Sequence, residues 1–568
     1  MLHLIPQVKS LALTGGTLPT NTVRCVTPDV DSRVLGAIGK LPQSPDGIPL
    51  QVIVTGDSGE SYTLTVAADG ITISAPGPAG AFYGVQTLRQ VLLADEIPCL
   101  HIEDAPDLAF RGFYHDITRG RIATLDYLKS MVDKLAFFKI NAFQVYVEHT
   151  FPFKEFEDVQ EQFGCITPEE LRELDAYCRE NFIDFAPSMP TFGHVYELLH
   201  QEKYRHLRIC RDREDDQHFW QNRQANHTID PLLPESIQLI TGMIDQYMPC
   251  FTSDFFNICC DETYDLKQYE AKGYDSARLY VDFVKKIIAH VKSRGKRVMM
   301  WADILLEHPE VIEELPEDTL FLNWEYSNVP AEEKIARFAN LNRQQVLCPS
   351  TRSWKRLCED INCATSNIST MAGYAKKYHA LGMMNTSWGD FAHSCSPELM
   401  MYSMTLGAAK AWAPDMPVDE VFDNAVNALL YGSSTGVRHL RELCGLHGSA
   451  NWQCVLDDYM KLRYQIGEGG FESPNIDVPA YQQQVTAYLE ALKGERWEHD
   501  EFRQDMLLAA EGMLVMAELA KRLHKLPVDR ITDTADWLRR YRQRWLAEAK
   551  ESELYRLEEA FLYIDQNA

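Results

Sequence analysis

Carboxylates that could cleave a glycosidic bond stand side by side in this sequence. Asp261 and Glu262 follow the apolar segment 255–260. Two carboxyl groups in different environments are the usual requirement for such cleavage, one acting as acid and the other as base or nucleophile. Neighbours on a strand point to opposite faces, so we expect this pair to be poorly placed to flank one bond. A bond-cleaving enzyme built on the pair would need another nucleophile, such as a group of the substrate.

Further polar and aromatic candidates follow other apolar segments of the same kind. They are Arg119, Glu148, His149, His194, Trp301, Asp303, Trp324, Glu325, Tyr326, Trp354, Trp388 and Asp390. Singly, each has a structural explanation, because a tryptophan after a strand is usually core and an Asp-Glu pair often caps a helix. Together they indicate a carbohydrate site, since carboxylates and arginine grip hydroxyl-rich molecules and indole faces pack against the C–H faces of sugars.

The elements that must position these residues alternate between short apolar strands and amphipathic helices. The eight predicted strands are 112–118, 141–147, 182–187, 255–260, 296–302, 319–325, 345–350 and 382–388. Eight strand–helix units over about 300 residues are typical of a (β/α)₈ TIM barrel. The active site of such a barrel lies at the carboxyl ends of its strands, where all the candidates fall.

Helix signals between the strands support this pattern. Thr124 is a predicted N-cap, and Thr167-Pro168-Glu169-Glu170 is a capping box with proline at the first helical position. Another helix stripe ends at Gly295, as expected for the glycine that follows a helix C-terminus. The longest insertion, about 197–229, is charged and rich in histidine, and we expect it to lie over the mouth of the barrel.

Two further regions flank the barrel, which we predict to span residues 107–415. Residues 1–106 indicate a small α/β domain, because alternating strands around 62–66 and 71–73 meet across Asp69-Gly70, a strong hairpin signal. Residues 416–568 have helical patterns, notably 507–523 and 537–562, and no strand signal. We expect these helices to buttress the barrel, with a homodimer face as the alternative.

Charge and composition narrow the partners. The 568 residues carry 82 acidic and 55 basic side chains, a net charge of −27, which disfavours nucleic acids and anionic membranes. The arginine-rich run 539–544 is therefore interpreted as a solvated or interdomain helix face. No apolar run is long enough to span a bilayer, no signal peptide is visible, and the 14 cysteines lack metal-ligand spacing. These features predict a cytoplasmic protein with free thiols.

Several motifs, taken in order, resemble glycoside hydrolase family 20, the β-N-acetylhexosaminidases. They are Arg111–Arg119 (RGxxxDxxR), Gly193-His194, Asp261-Glu262-Thr263, Met300-Trp301 and Trp388-Gly389-Asp390. Segments 61–66 and 80–88 resemble the small domain that precedes the barrel of this family, and the whole resemblance covers about residues 50–415. It implies exo-acting, retaining hydrolysis of glycans that end in β-linked GlcNAc or GalNAc. It implies neither a metal nor an organic cofactor.

The resemblance also implies roles for individual residues. Glu262 would be the general acid and then the base, while Asp261 would orient the 2-acetamido group of the substrate, whose carbonyl oxygen attacks the anomeric carbon. Arg119 and Asp390 would hold sugar hydroxyls, and His194, with Glu148, would orient the acid. The aromatic walls of the acetamido pocket and the sugar ring would be Trp301, Trp324 and Trp388.

Departures from the family pattern keep other interpretations open. Cys259-Cys260 stand where the family usually has glycines, and no tyrosine follows the seventh strand to bond the acetamido carbonyl, a role that we assign to Tyr326. The second strand ends in residues 144–150, without the usual Asp-containing segment. A non-catalytic glycan-binding protein on a degenerate barrel is therefore one alternative. A metal-dependent hydrolase is another, with ligands drawn from His149, His194, Asp261 and Asp303.

Overall fold

The structure is a computed structural model of the chain. It describes residues 2–158, 164–211, 226–447, 452–465, 477–527 and 530–568. The insertion predicted over the barrel mouth at 197–229 is described at both ends, and its middle part, 212–225, lies outside the described residues.

The N-terminal region is a mixed sheet covered by helices. Its strands and helices are β1 Ser10–Thr17, β2 Val23–Cys25, α1 Ser32–Gly39, β3 Ile48–Val54, β4 Tyr62–Ala67, β5 Gly70–Ala75, α2 Pro78–Val91 and β6 Pro98–Asp104. The strand order is β1-β6-β4-β5-β3-β2. The predicted hairpin is present, since β4 and β5 are antiparallel and Ala67 pairs with Gly70 across the turn.

A parallel sheet of eight described strands forms the barrel. They are β7 Phe110–Asp116, β8 Ala142–Tyr146, β9 Asp184–Phe185, β10 Phe255–Asn257, β11 Arg297–Trp301, β12 Leu320–Trp324, β13 Gln345–Cys348 and β14 Gly382–Ser387. They pair in the order β10-β11-β12-β13-β14-β7-β8-β9. Ser188 forms bridges with both Tyr146 and Asn257, which links the two edges of the sheet. The predicted barrel-type α/β fold is confirmed.

Helices surround the barrel and carry the predicted end signals. They are α3 Leu125–Phe137, α4 Pro168–Glu180, α5 Tyr196–His200, α6 Pro234–Tyr247, α7 Lys267–Glu270, α8 Ser276–Ser293, α9 Asp303–Glu307, α10 Glu332–Asn340, α11 Ile361–Lys377 and α12 Met401–Trp412. Thr124 caps α3 by accepting from Tyr127, and the reciprocal box of Thr167 and Glu170 caps α4. Gly295 follows α8 with φ +80°.

Two barrel strands are no more than half as long as the sequence pattern predicts. The third spans Asp184–Phe185 rather than 182–187, and the fourth spans Phe255–Asn257 rather than 255–260. In the fourth, Cys259 and Cys260 have φ +56° and +67°. Such left-handed backbone cannot continue a strand, so pairing ends although the residues stay apolar and buried.

The C-terminal region is helical and packs on the barrel. Its helices are α13 Glu420–Val426, a π-helical turn Asn427–Tyr431, α14 Gly436–His447, α15 Trp452–Tyr464, α16 Val478–Lys493, α17 Asp500–Leu523, α18 Thr534–Glu548 and α19 Leu554–Asn567. The helical pattern over 537–562 is divided between two helices in the structure, because Ala549 is extended and pairs with Ala123 of the barrel. Among the described helices, none combines the length and apolarity needed to cross a membrane.

The arginine-rich run lies on α18 and is neutralised within the chain. Arg539 and Arg540 both pair with Asp536, at 2.6 and 3.0 Å. Arg542 pairs with Glu558 at 3.2 Å, and Arg544 pairs with Asp505 at 2.6 Å. The run is therefore a helix face that binds neighbouring elements, in line with its interpretation from the sequence.

Candidate active site

One histidine joins the two adjacent carboxylates. Nε2 of His194 lies 3.3 Å from Oδ2 of Asp261 and 3.2 Å from Oε2 of Glu262. The expectation that the carboxylates point to opposite faces is wrong, because β10 has already ended and Cys259, Cys260 and Glu262 all have left-handed backbone. The chain turns at these residues and brings both side chains to the same imidazole nitrogen.

The Gly193-His194 pair has a steric explanation. A Cβ atom at Gly193 would collide with the carbonyl oxygen of Asp261, so only glycine allows the two segments to approach this closely. His194 has φ +55°, and its backbone N–H donates to Nδ1 of His227 at 2.9 Å. The imidazole rings of His194 and His227 stack with centroids 5.0 Å apart. Sequence reasoning missed His227, which has no motif around it.

Opposite charges are fixed at the centre of the site. Burial would lower the pKa of His194, but Asp261 and Glu262 outweigh burial and raise this pKa well above its ordinary value. Burial likewise opposes ionisation of Glu262, yet the hydrogen bond and charge of His194 lower its pKa to about 2. Burial and the neighbouring His194 lower the pKa of His227 to about 4. His194 is therefore cationic, Glu262 anionic and His227 neutral.

Glu262 has two further partners, namely Asp303, which is one of the candidates that follow the predicted strands, and Tyr264, which sequence reasoning missed. The hydroxyl of Tyr264 donates to Oε1 of Glu262 at 2.9 Å, although nearly half of Tyr264 is exposed at the rim. The backbone N–H of Glu262 donates to Oδ2 of Asp303 at 2.9 Å. Burial and the charge of Asp261 raise the pKa of Asp303 to about 7. These contacts fix the orientation of the Glu262 carboxyl group.

Arg119 lies opposite, in a ring of acidic groups. Its guanidinium is 3.1 Å from Asp116, 3.2 Å from Glu148 and 3.9 Å from Asp390. Asp116 also accepts from the backbone N–H of Gly389 at 3.0 Å, so it ties the end of β7 to the loop after β14. Asp116 is the aspartate of the RGxxxDxxR motif, and it orients Arg119 from below rather than lining the cavity.

Aromatic side chains form the remaining wall. Trp301 is fully buried in the barrel interior, and its ring centroid lies 5.9 Å from that of Trp388. The indole N–H of Trp388 donates to the hydroxyl of Tyr326 at 2.7 Å. The ring of Tyr326 stacks on Trp324 at 5.0 Å and lies 5.5 Å from Trp354. The interlocked rings present flat apolar surfaces with a phenol oxygen between them.

These residues surround a cavity of about 180 Å³ at the carboxyl ends of the strands. Its lining residues are Arg119, His194, Asp261, Glu262, Trp301, Trp324, Tyr326, Trp354, Trp388 and Asp390. Nine of the ten residues predicted for the site are among them. The tenth, Glu148, lies behind Arg119. His149 is fully buried, 3.9 Å from the Glu148 carboxylate.

The central triad also has the donor spacing of a cation site. One ligand atom each from His194, Asp261 and Glu262 lies within 4.8 Å of the others. Among the described residues, this is the only group of three potential metal ligands at such spacing. The remaining residues of the metal hypothesis, His149 and Asp303, are not part of it. A metal ion would have to displace the proton of His194, and because the carboxylates raise the pKa of His194, protons would compete with a cation at this triad.

The barrel and the small α/β domain that precedes it match the two domains of one family of hydrolases. Residues 108–414 match the catalytic domain of glycosyl hydrolase family 20, and residues 2–105 match domain 2 of the same family. The first match alone covers more than half of the chain, which therefore belongs to glycosyl hydrolase family 20.

Relatives and solved structures agree with this assignment. The chain is 26% identical over 284 residues to a beta-hexosaminidase of Porphyromonas gingivalis, which covers 43% of this chain and 36% of that protein. It is 32% identical over 162 residues to a beta-hexosaminidase of Akkermansia muciniphila, covering 24% of this chain and 33% of the relative. The matches thus span about a third of the length of these curated relatives.

Among solved structures, the chitobiase of Flavobacterium johnsoniae is similar over the whole chain. Its TM-score is 0.61 at 19% identity, with 99% of each chain covered. The exo beta-N-acetylglucosaminidase of Vibrio harveyi, solved with N-acetylglucosamine, has a TM-score of 0.58 at 18% identity and covers 74% of this chain and 75% of its own. At these identities the likeness shows the fold, including that of the C-terminal helices in the first case.

Proposed function

We propose that the protein is an exo-acting, retaining β-N-acetylhexosaminidase that releases terminal GlcNAc or GalNAc. The observation that carries this proposal is the position of Asp261 and Glu262 at one imidazole nitrogen of His194. Both carboxylates therefore lie on the same side of the cavity. Two carboxylates that act as acid and nucleophile must flank the sugar ring, so this pair needs a nucleophile from the substrate.

The substrate can supply that nucleophile through its 2-acetamido group. In the proposed reaction Glu262 gives a proton to the glycosidic oxygen while the acetamido carbonyl oxygen attacks the anomeric carbon. The C–O bond to the leaving group breaks, and a cyclic oxazolinium ion forms. Asp261 stabilises the positive charge on the acetamido nitrogen, and Glu262 then takes a proton from the water that opens the ring. Two inversions at the anomeric carbon give net retention.

The rest of the cavity suits one terminal sugar. Its volume of about 180 Å³ is below the roughly 300 to 1,000 Å³ of pockets for drug-sized ligands, which supports exo action on a single residue. Arg119 and Asp390 provide charged partners for sugar hydroxyls. The indole rings of Trp301, Trp324 and Trp388 would provide apolar walls, and the Tyr326 hydroxyl, which accepts from Trp388, would donate to the acetamido carbonyl.

We expect Glu262→Gln to lower kcat for 4-nitrophenyl β-N-acetylglucosaminide by about 10²- to 10⁴-fold, because glutamine cannot transfer a proton. Steady-state kinetics and circular dichroism measure the loss and the integrity of the fold. Glu325→Gln is the matched control, since Glu325 follows β12 and pairs with Lys334 outside the cavity. Near-normal turnover by Glu262→Gln would reject the acid assignment.

We also expect aryl β-glucosides, which lack the amide, to be cleaved at least 10³-fold more slowly than the matching N-acetylglucosaminides. The reason is that the attacking oxygen belongs to the amide, and an intramolecular nucleophile has a large effective concentration. Comparison of kcat/KM for the two aryl series measures the ratio. Equal rates would reject substrate assistance, and binding without cleavage of either series would favour the glycan-binding alternative.

A further inference from the structure

The loop after the last barrel strand has an unfavourable backbone conformation. Phe391, Ala392 and His393 have φ values of +60°, +78° and +46°, three consecutive residues with side chains in the left-handed region. Such a conformation persists only where surrounding contacts determine it. The residue before them, Asp390, lines the cavity 3.9 Å from Arg119. Whatever holds this loop therefore also positions a residue of the candidate site.

The barrel provides one side of the support. His393 donates its backbone N–H to Gly389 at 2.7 Å, and its buried ring lies 5.6 Å from that of His115. Gly120 passes directly beneath the loop, since a Cβ there would be 2.9 Å from the backbone of Ala392. These contacts close the loop on itself and seat it on the barrel. The backbone carbonyls of Phe391 and Ser394 point away from the barrel, toward the C-terminal helices.

The C-terminal helices provide that other side. The indole N–H of Trp452, at the start of α15, donates to the carbonyl of Phe391 at 2.9 Å. The hydroxyl of Tyr541, in α18, donates to the carbonyl of Ser394 at 2.7 Å. Both side chains are buried, Trp452 completely. Two donors from separate helices thus clamp the two ends of the left-handed segment.

We propose that Trp452 and Tyr541 are positioning residues that hold the loop so that Asp390 stays beside Arg119. The C-terminal helices would thereby set how tightly the enzyme binds the hydroxyls of a terminal sugar. This inference rests on the proposed function for its effect on binding. Neither residue falls within the two family matches, which end at residue 414.

The test removes single donor atoms. Trp452→Phe deletes the N–H but keeps an aromatic ring against Phe561, which stacks on Trp452 at 5.2 Å. Tyr541→Phe deletes the hydroxyl, which also accepts from Arg121 at 3.2 Å, so Trp452→Phe is the cleaner variant. The matched controls lose equivalent buried bonds inside the C-terminal region. They are Trp497→Phe, which loses a bond to Glu495, and Tyr481→Phe, which loses one to Leu446.

We expect KM for 4-nitrophenyl β-N-acetylglucosaminide to rise about 3- to 10-fold in the two loop variants, the usual effect of one lost hydrogen bond, with kcat within twofold. Both controls should keep the wild-type KM. Amide hydrogen exchange of residues 389–396 should accelerate about tenfold in the loop variants and stay unchanged in the controls.

Equal KM and equal exchange in Trp452→Phe and Trp497→Phe would overturn the proposal, because a purely structural role predicts the same response from both. The exchange measurement needs no substrate. If the wild-type protein cleaves no aryl N-acetylhexosaminide, the proposed function fails, while the exchange rates still decide whether the helices hold the loop.

Discussion

His194 and Glu262 share one proton, and it resides on the imidazole. The carboxylates raise the pKa of His194, and His194 lowers the pKa of Glu262 to about 2. The proposed reaction starts with this proton on Glu262, 3.2 Å away. A sugar that fills the cavity excludes water and so favours the neutral carboxylic acid, which moves the proton across the pair.

His194→Asn should therefore change the pH dependence as well as the rate. In the wild type, the one-proton state of the pair exists from about pH 2, where Glu262 ionises, up to the raised pKa of His194. Without the cation, the pKa of Glu262 rises toward or above 4.5, and its acid form is lost as the pH increases past that value. We expect the alkaline limb of kcat/KM to move to lower pH by at least one unit.

The measurement is a pH profile of kcat/KM, which reports ionisations of the free enzyme. His206→Asn is a suitable control, because His206 pairs with Glu235 on the surface, away from the cavity. A uniform loss of rate with unmoved limbs would mean that His194 only orients the carboxylates.

Most residues of the candidate site could be identified from the sequence because they follow apolar strands. Asp261, Trp301 and Trp388 are of this kind. His227 could not, because it meets His194 across a contact separated by 33 residues, on a segment without a recognisable pattern. Tyr264 could not either, since its hydroxyl reaches Glu262 only through the left-handed turn at Glu262.

At the scale of the element, the short segment between β10 and the acid pair has a strained backbone. Cys259 and Cys260 occupy the left-handed region, where glycine is at ease and residues with side chains are not. Both side chains are buried, with the thiols against Ser188 and Thr191 at 3.5 and 3.2 Å. Packing thus offsets the strain at positions where the resemblance leads us to expect glycine.

At Cys260, a glycine variant should be more stable than an alanine variant, which is the reverse of the order in a helix. Cys260→Gly and Cys260→Ala both lose the buried thiol, but only glycine relieves the left-handed strain. We expect the glycine variant to be more stable by about 1 kcal/mol, as measured by urea unfolding. At Cys178, buried in the last turn of α4, we expect the alanine variant to be the more stable one, by up to about 1 kcal/mol. If the alanine variant is the more stable one at both positions, the backbone at Cys260 is not strained.

The elements themselves were predictable where local pattern decides them. Apolar runs located all eight barrel strands, and the capping box at Thr167 marked the start of α4. Their ends were less predictable. Hydrophobicity does not report φ, so nothing in the run 255–260 signals that pairing stops at Asn257. Nor does the helical period over 537–562 reveal the extended Ala549, which is fixed by pairing with Ala123 of the barrel.

At the scale of the whole molecule, the N-terminal domain is fixed to the barrel by a buried arginine. Arg111 is completely buried at the start of β7 and makes two bonds of 2.8 Å to the carboxylate of Glu60. Its remaining donors reach Leu108, Lys139 and Tyr83. The first residues of the RGxxxDxxR motif therefore serve domain assembly, and its last residue serves the site.

Glu60→Ala should destabilise the protein by about 2 to 3 kcal/mol, because it leaves the Arg111 charge buried without its partner. The figure is at the low end for buried pairs, since 28% of the Glu60 side chain is exposed. Chemical denaturation measures the change. Glu314→Ala is the control, because its pair with Arg278 is on the surface, where water and salt screen the charges, and its loss should change stability much less. Equal losses would show that burial of Arg111 does not matter.

The thiols of Cys259 and Cys260, which precede the acid pair, pack into two different hydrophobic layers of the barrel. Cys259 belongs to the apolar filling of the barrel and Cys260 to the shell between strands and helices, and burial raises the pKa of both thiols. A folded molecule should thus withstand iodoacetamide at these positions. The rate of their alkylation, followed by mass spectrometry, would report how often the barrel wall beside the site opens.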